Sequence, residues 1–242
     1  MKIVDILNNK SKNVSGMPGA CIAFLGDSVT QGCFEIYKTS PNTLDTVFEQ
    51  NNAYHAKLKE MLSHLYPATP INIINAGISG GSSAEGLARL ERDVLRHNPD
   101  LTVVCFGLND CHNGLEGVEE YKSNLKKIFA ALKEKDIEVI FMTPNMMNIN
   151  VSCHYLENEY FSNIAEHFTK VQLDGVMDKY MDAAREACKE ENVKLCDCYK
   201  IWKTLYAGGV NITEILSNKL NHPTREMHWL FAHELLRTIL EF

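Results

Sequence analysis

The chain has no apolar run of bilayer length, no cluster of basic residues, no C-x-x-C pair and no H-x-x-x-H or H-E-x-x-H spacing. Each gap removes a class of protein. Without a long apolar segment there is no predicted membrane span. The stretch Met1 to Gly19 is mixed and polar and lacks the apolar core of a secretory signal, so the chain reads as cytoplasmic unless a leader was removed from it. A net charge of −7 without a basic run argues against nucleic acid or an anionic membrane surface as partner. Glycine and proline are sparse, 14 and 7 in 242 residues, which leaves no disordered-tail signature, and 45% hydrophobic content is enough for one large core. A single domain over residues 1–242 is therefore expected.

Cysteine is present but not in a usable pattern. The eight cysteines, at 21, 33, 105, 111, 153, 188, 196 and 198, show neither metal-ligand spacing nor the framework of a disulfide-rich secreted protein. Those at 21, 105, 196 and 198 lie in strand-like apolar stretches and read as small buried hydrophobes. Cys33 and Cys111 follow chemistry-bearing turns by a few residues, where a reactive thiol would sit near a pocket, although a structural role is the better reading. His228 and His233 are five apart and leave a helix on different faces, so no metal is expected.

What is there is alternation. Five apolar runs of four to six residues, Cys21 to Leu25, Ile71 to Ile74, Leu101 to Phe106, Glu138 to Met142 and Val193 to Cys198, read as strands covered on both faces. Between them, Ser82 to His97 opens with the capping-box pattern Ser82-x-x-Glu85. Val118 to Lys135 places Val118, Tyr121, Leu125, Ile128, Phe129 and Leu132 on one helical face. Further helices are expected near Asn52–Tyr66, Asp174–Glu190 and Thr224–Leu240. This pattern predicts an α/β fold with a five-stranded parallel sheet and helices on both faces. The stretch 144–173, with Tyr155, Tyr160, Phe161 and Phe168 and no clean period, predicts a substrate-facing loop or lid, with a peripheral helical hairpin as the alternative.

Four polar groups fall where open α/β sheets bind ligands, at the carboxyl ends of strands or just before the last helix. The first strand stops in Gly26-Asp27-Ser28, placing a hydroxyl at the sheet edge. The second is followed by Asn75-Ala76-Gly77-Ile78-Ser79-Gly80-Gly81, where an unobstructed backbone N–H at Gly77 would suit an oxyanion. The third is followed by Gly107-Leu108-Asn109-Asp110, whose Asn109 amide can aim at the same point. His222-Pro223 supplies an imidazole suited to general-base work. Singly, each is ordinary turn or capping chemistry.

Together, in this order and approximate spacing, these blocks resemble those of the SGNH hydrolases, also called GDSL-type esterases, over nearly the whole chain. The resemblance implies a flavodoxin-like three-layer α/β/α sandwich and a serine esterase of small acyl esters, including acetyl esters of carbohydrates. It implies Ser28 as nucleophile and oxyanion donor, Gly77 and Asn109 as further donors, His222 as base, and Asp27 and Asp110 as loop-fixing residues. The implied partner is a small-molecule acyl ester, with no cofactor; self-association is left open. One position departs from the family. The usual aspartate three or four residues before the histidine is Lys219 or Asn218 here, so either Asn218 or a backbone carbonyl orients the ring, a distant carboxylate such as Asp197 substitutes, or the site is weakened. A non-catalytic binder on the same scaffold and an acyltransferase are the competing readings.

Overall fold

The computed structural model describes residues 1–40 and 43–241. In chain order its first half contains α1 (Lys2–Lys12), β1 (Ala20–Gly26), α2 (Ser28–Gln31), β2 (Cys33–Ser40), β3 (Thr43–Phe48), α3 (Tyr54–Leu65), β4 (Ile71–Gly77), α4 (Ser83–Ala88) and α5 (Leu90–Asp93). The second half adds β5 (Leu101–Cys105), α6 (Val118–Glu134), β6 (Glu138–Met142), α7 (Glu159–Leu173), α8 (Val176–Glu190), β7 (Lys194–Cys196), α9 (Cys198–Ala207) and α10 (His228–Leu240).

The predicted strands pair in the order β4-β1-β5-β6-β7, every neighbour parallel. Their lack of alternation is explained by cover on both faces. α1, α3 and α10 pack on one side; α4, α6 and α8 pack on the other. The result is the expected three-layer α/β sandwich. Between the layers, Ile22, Phe24, Val103, Ile140 and Phe141 are fully buried, each contributing roughly 1.5–3 kcal/mol of apolar burial.

Topology positions the site. From β1 the chain crosses outward to β4, then returns past β1 to β5, so a crevice opens between β1 and β5 at their carboxyl ends. Register then aligns the turns: Gly26 pairs with both Gly77 and Cys105, so β1, β4 and β5 end at one level. The segments carrying Ser28, Ile78–Gly81 and Asn109 all leave from that edge.

Several elements differ from the sequence expectation. The helix expected over 82–97 keeps its capping box, with Ser82 and Glu85 bonded reciprocally, but breaks at Arg89 into α4 and α5. Arg89 is buried and donates from its guanidinium to the carbonyls of Ala76 (2.6 Å) and Gly26 (2.8 Å), closing the carboxyl ends of two strands. Residues 144–173 are only partly loop: Asn158 caps α7, accepting from the Phe161 N–H at 3.3 Å, and α7 packs on α8. The polar start of the chain folds as α1, burying Ile3, Val4 and Leu7. Cys198 begins α9 rather than ending a strand, because Asp197 caps that helix. The antiparallel hairpin of β2 and β3 lies outside the main sheet. Among the described residues, no helix is long and apolar enough to cross a membrane.

Candidate active site

Ser28 opens α2, immediately after the last residue of β1 and the capping residue Asp27, whose Oδ1 accepts from the Val29 N–H at 3.0 Å. A side chain at the first position of so short a helix is held at the strand's end, and a backbone N–H there has no intrahelical acceptor. Asp27 is fully buried, and its Oδ2 has no partner among the described residues. Burial, reinforced by the neighbouring Asp110, pushes its carboxyl up to about 7.

His222 comes to Ser28 from the far end of the chain. Its Nε2 lies 2.9 Å from Ser28 Oγ, and its Nδ1 lies 2.8 Å from the Phe34 carbonyl oxygen on β2. These contacts set the tautomer. A carbonyl only accepts, so Nδ1 carries the proton and donates it to Phe34, leaving the Nε2 lone pair to accept from the serine hydroxyl. The ring is 5% exposed, and burial depresses its pKa to about 4, opposed by the Phe34 carbonyl and by Glu35.

The backbone carbonyl stands where Asn218 was the other candidate orienter. Asn218 Oδ1 instead accepts from the N–H groups of Leu220 (3.0 Å), Asn221 (2.9 Å) and His222 (2.8 Å), and its Nδ2 donates to Asn221 Oδ1. Asn218 therefore shapes the loop rather than the imidazole. Lys219 turns away, donating to the Glu214 carbonyl and pairing with its carboxylate at 3.0 Å. Asp197 is held by Arg185 at 2.9 Å and by its capping bond to the Lys200 N–H, so it does not substitute for the missing acid.

Asn109 and Gly77 have different fates. Asn109 Nδ2 donates to the Gly81 carbonyl at 2.9 Å, which ties the strand-end turn after β5 to the loop after β4. Gly77 is structural. Its N–H donates to Asn75 Oδ1 at 3.0 Å, and a Cβ there would sit 2.2 Å from the Gln31 nitrogen. The position needs glycine for close packing against α2, and its N–H is already engaged. Asp110 Oδ1 accepts from the backbone N–H and hydroxyl of Ser83 at 2.9 and 2.5 Å, fixing α4 to this edge.

A match to the GDSL-like lipase/acylhydrolase family spans residues 24–230. The chain belongs to that family. As such it is a hydrolase of the class that acts on acyl esters. This GDSL-like hydrolase is 24% identical over 234 residues to an acetylxylan esterase of Geobacillus stearothermophilus, an alignment covering 91% of this chain and 94% of that protein. It is 33% identical to an arylesterase of Vibrio mimicus, but over 111 residues only, about half of that enzyme. Among solved structures, the Geobacillus acetylxylan esterase superposes with a TM-score of 0.65 at 23% identity, covering 93% of this chain and 96% of that one. An α/β hydrolase from the metagenome of Lake Arreo superposes with a TM-score of 0.66 at 20% identity, covering 91% and 95%. At these identities the superpositions establish the fold.

One further candidate residue of this hydrolase was not singled out in the sequence. Gly80 lies at the tip of the turn closed by the Gly81 N–H bond to the Ile78 carbonyl, with φ of +76° and nothing within 4 Å of where a Cβ would be. Its own N–H has no partner among the described residues. The turn is fastened on both sides, by the Ser79 N–H to Gln31 Oε1 (2.7 Å) on α2 and by Asn109 to Gly81. The Gly80-Gly81 pair was the available signal: two glycines in succession mark a loop tip, and strand-end position alone favoured Gly77. Gly77→Ala is expected to destabilise the fold by about 3 kcal/mol through overpacking against the Gln31 backbone, whereas Gly80→Ala incurs only roughly 1–2 kcal/mol of left-handed backbone strain. Urea denaturation of the two variants makes that comparison.

Cys33 and Cys111 are buried thiols whose pKa values rise to about 11 and about 12 through desolvation, which makes them poor nucleophiles at neutral pH. All eight cysteines are free, and no group of three metal-ligating side chains occurs among the described residues. Two surface hollows lie away from the strand ends just described. One, of about 400 Å³, is lined by Lys2, Glu138 and Lys194 at the amino ends of β6 and β7; the other, of about 480 Å³, lies between α6 and α8.

Proposed function

We propose that this chain is a serine esterase cleaving small acyl esters, acetyl esters of carbohydrates foremost, through Ser28 and His222. The observation that carries the reading is the 2.9 Å contact between Nε2 and Oγ with Nδ1 anchored on Phe34, which places a neutral imidazole in the tautomer a general base requires. As Ser28 Oγ attacks the ester carbonyl, its proton passes to Nε2, and the carbonyl oxygen becomes an oxyanion. That charge is met by the N–H of Ser28, the N–H of Gly80 and the Asn109 amide; Gly80 replaces Gly77 in the set because its N–H is free. The imidazolium returns the proton to the leaving alcohol. Water, deprotonated by the same ring, then resolves the acyl-enzyme.

Full-length similarity to an acetylxylan esterase supports a small acyl group on a carbohydrate alcohol. Beside the histidine loop, Tyr155 donates its hydroxyl to the Asn218 carbonyl, and on β2 Lys38 lies 4.4 Å from the centre of the exposed Tyr160 ring. The segment before α7 thus reaches the same loop as His222, which supports a substrate-facing role for it.

The test is turnover of 4-nitrophenyl acetate and acetylated xylo-oligosaccharides, with mass spectrometry after fluorophosphonate treatment. An adduct on Ser28 with release of acetate is expected; a protein that neither forms the adduct nor turns over either ester overturns the reading. Within the same assay, Asn109→Ala is expected to lower kcat by roughly 10²-fold with little change in KM, the size expected on removing one oxyanion donor.

A further inference from the structure

A histidine held only by a backbone carbonyl depends on whatever holds that carbonyl. Phe34 lies on β2, outside the main sheet, in a two-stranded hairpin, and isolated two-stranded hairpins are marginal by themselves. Here its base is gripped by one side chain. Arg225, three residues after His222, donates from Nη1 and Nη2 to the two Glu35 oxygens at 2.7 and 3.0 Å, and from Nε and Nη2 to the two Glu49 oxygens at 2.8 and 2.6 Å. Glu35 follows Phe34 on β2; Glu49 follows β3 and donates its N–H to the Gly32 carbonyl at 2.8 Å. The guanidinium also lies 4.4 Å from the centre of the Phe34 ring. One cation thus ties both ends of the hairpin, and the ring of the residue whose carbonyl orients the imidazole, to the loop bearing that imidazole.

We propose that the Glu35–Arg225–Glu49 cluster is the positioning device that takes the place of the absent aspartate, Arg225 fixing the Phe34 carbonyl on His222 Nδ1 and Glu35 supplying the nearby negative charge. The inference rests on the Ser28–His222 reading above. A rigid fork suits the task, because five N–H donors in one plane fix two carboxylates at once, which a lysine cannot do. Two carboxylates around one guanidinium leave the cluster with one net negative charge, the sign that favours imidazolium as it forms. Among the charged groups around this ring, Glu35 is the one that favours its protonated form; His228, fully buried at the start of α10, has its own protonation disfavoured by His222 and by Arg225.

The experiment compares wild type with Arg225→Met, Arg225→Lys, Glu35→Gln and Glu49→Gln, reading kcat and KM for 4-nitrophenyl acetate, the pH dependence of kcat/KM, and the His222 ring by ¹⁵N NMR. Arg225→Met is expected to lower kcat about ten-fold or more with KM within about two-fold, as a mispositioned base does. Its NMR spectrum should lose the fixed Nδ1–H tautomer. Arg225→Lys should fall between the two. Glu35→Gln should move the acid limb of kcat/KM to lower pH, since removing a negative charge makes the imidazolium harder to form. Glu49→Gln removes an equal share of the clamp but should leave that limb in place. Equal effects of the two glutamine variants, or an Arg225→Met enzyme with unchanged kcat and an unchanged Nδ1–H signal, overturns the proposal. The NMR readout stands without turnover, so a wild type inactive on every ester would count against the esterase reading and leave the positioning test intact.

Discussion

Ser28→Ala is expected to lower kcat for ester hydrolysis by at least about 10⁴-fold while leaving the protein folded, because nucleophile and base act as a unit and removing either forfeits nearly all of their joint contribution. The residual rate would come from the oxyanion donors and from binding, which the substitution leaves in place. The structural effect is small by comparison. Among the described residues the serine hydroxyl makes one hydrogen bond, to His222 Nε2, and a hydrogen bond of this kind contributes about 1 kcal/mol net. Thermal denaturation should therefore move by only a few degrees, and fluorophosphonate labelling should vanish with the activity. Turnover above a few percent of wild type in Ser28→Ala would mean that another group attacks the ester. Cys33 and Cys111 offer no such alternative, because burial pushes their thiols up to about 11 and about 12.

The parts of the fold that were legible in the sequence are those where one physical demand dominates. Strands buried on both faces must be apolar throughout, so β1, β5 and β6 stand out in composition, and Glu138–Met142 emerges with the same bounds in both readings. The amphipathic stripe of α6 likewise buries Tyr121, Leu125, Ile128, Phe129 and Leu132. What stayed hidden depends on partners distant in sequence. α7 buries Phe161, Ala165, Val171 and Gln172 along one face, a stripe that the irregular residues before it concealed within the stretch 144–173. The hairpin of β2 and β3 carries Glu35 and Lys38, and Glu35 is paired with Arg225, 190 residues away in the chain. Local periodicity contains no trace of that.

The site shows the same division. Ser28 and Asn109 became candidates by following parallel strands and His222 by preceding the last helix, and it was their combination rather than any one of them that pointed to a site; the structure brings Ser28 and His222 within 2.9 Å of each other. Gly77 and Gly80 could not be separated by that reasoning. Both follow the same strand, and what distinguishes them is tertiary: Gly77 packs against Gln31 with its N–H bound to Asn75, while Gly80 is open. The orienter of His222 was equally out of reach by residue type. A backbone carbonyl belongs to every residue, so nothing in the letter for Phe34 distinguishes its oxygen from any other.

His222→Ala is expected to reduce kcat to a degree similar to Ser28→Ala, and the wild-type pH profile identifies which property of the ring is lost. A base works only in its neutral form. With the folded pKa depressed to about 4, wild-type kcat/KM should stay level from neutral pH to well below the ordinary imidazole value of about 6.5 and fall only as pH approaches about 4. An acid limb near 6.5 would mean that the ring is solvated and that the Phe34 contact is not kept in solution. The fold itself titrates in the same window. His55 and His228 are buried with pKa values of about 4 and about 3, so the unfolded chain binds more protons than the native one below about 6.5, and this contribution to stability is lost as pH falls toward the folded values. Asp27 works in the opposite sense: its folded pKa of about 7 means that the native state holds a proton the unfolded chain releases above about 4, so its contribution is present at low pH and lost as pH rises through about 7. The limb in kcat/KM must therefore be measured beside circular dichroism at each pH. A loss of rate that precedes any loss of ellipticity, and that disappears from the residual activity of His222→Ala, assigns the titration to the base; a rate that falls only with the ellipticity assigns it to unfolding.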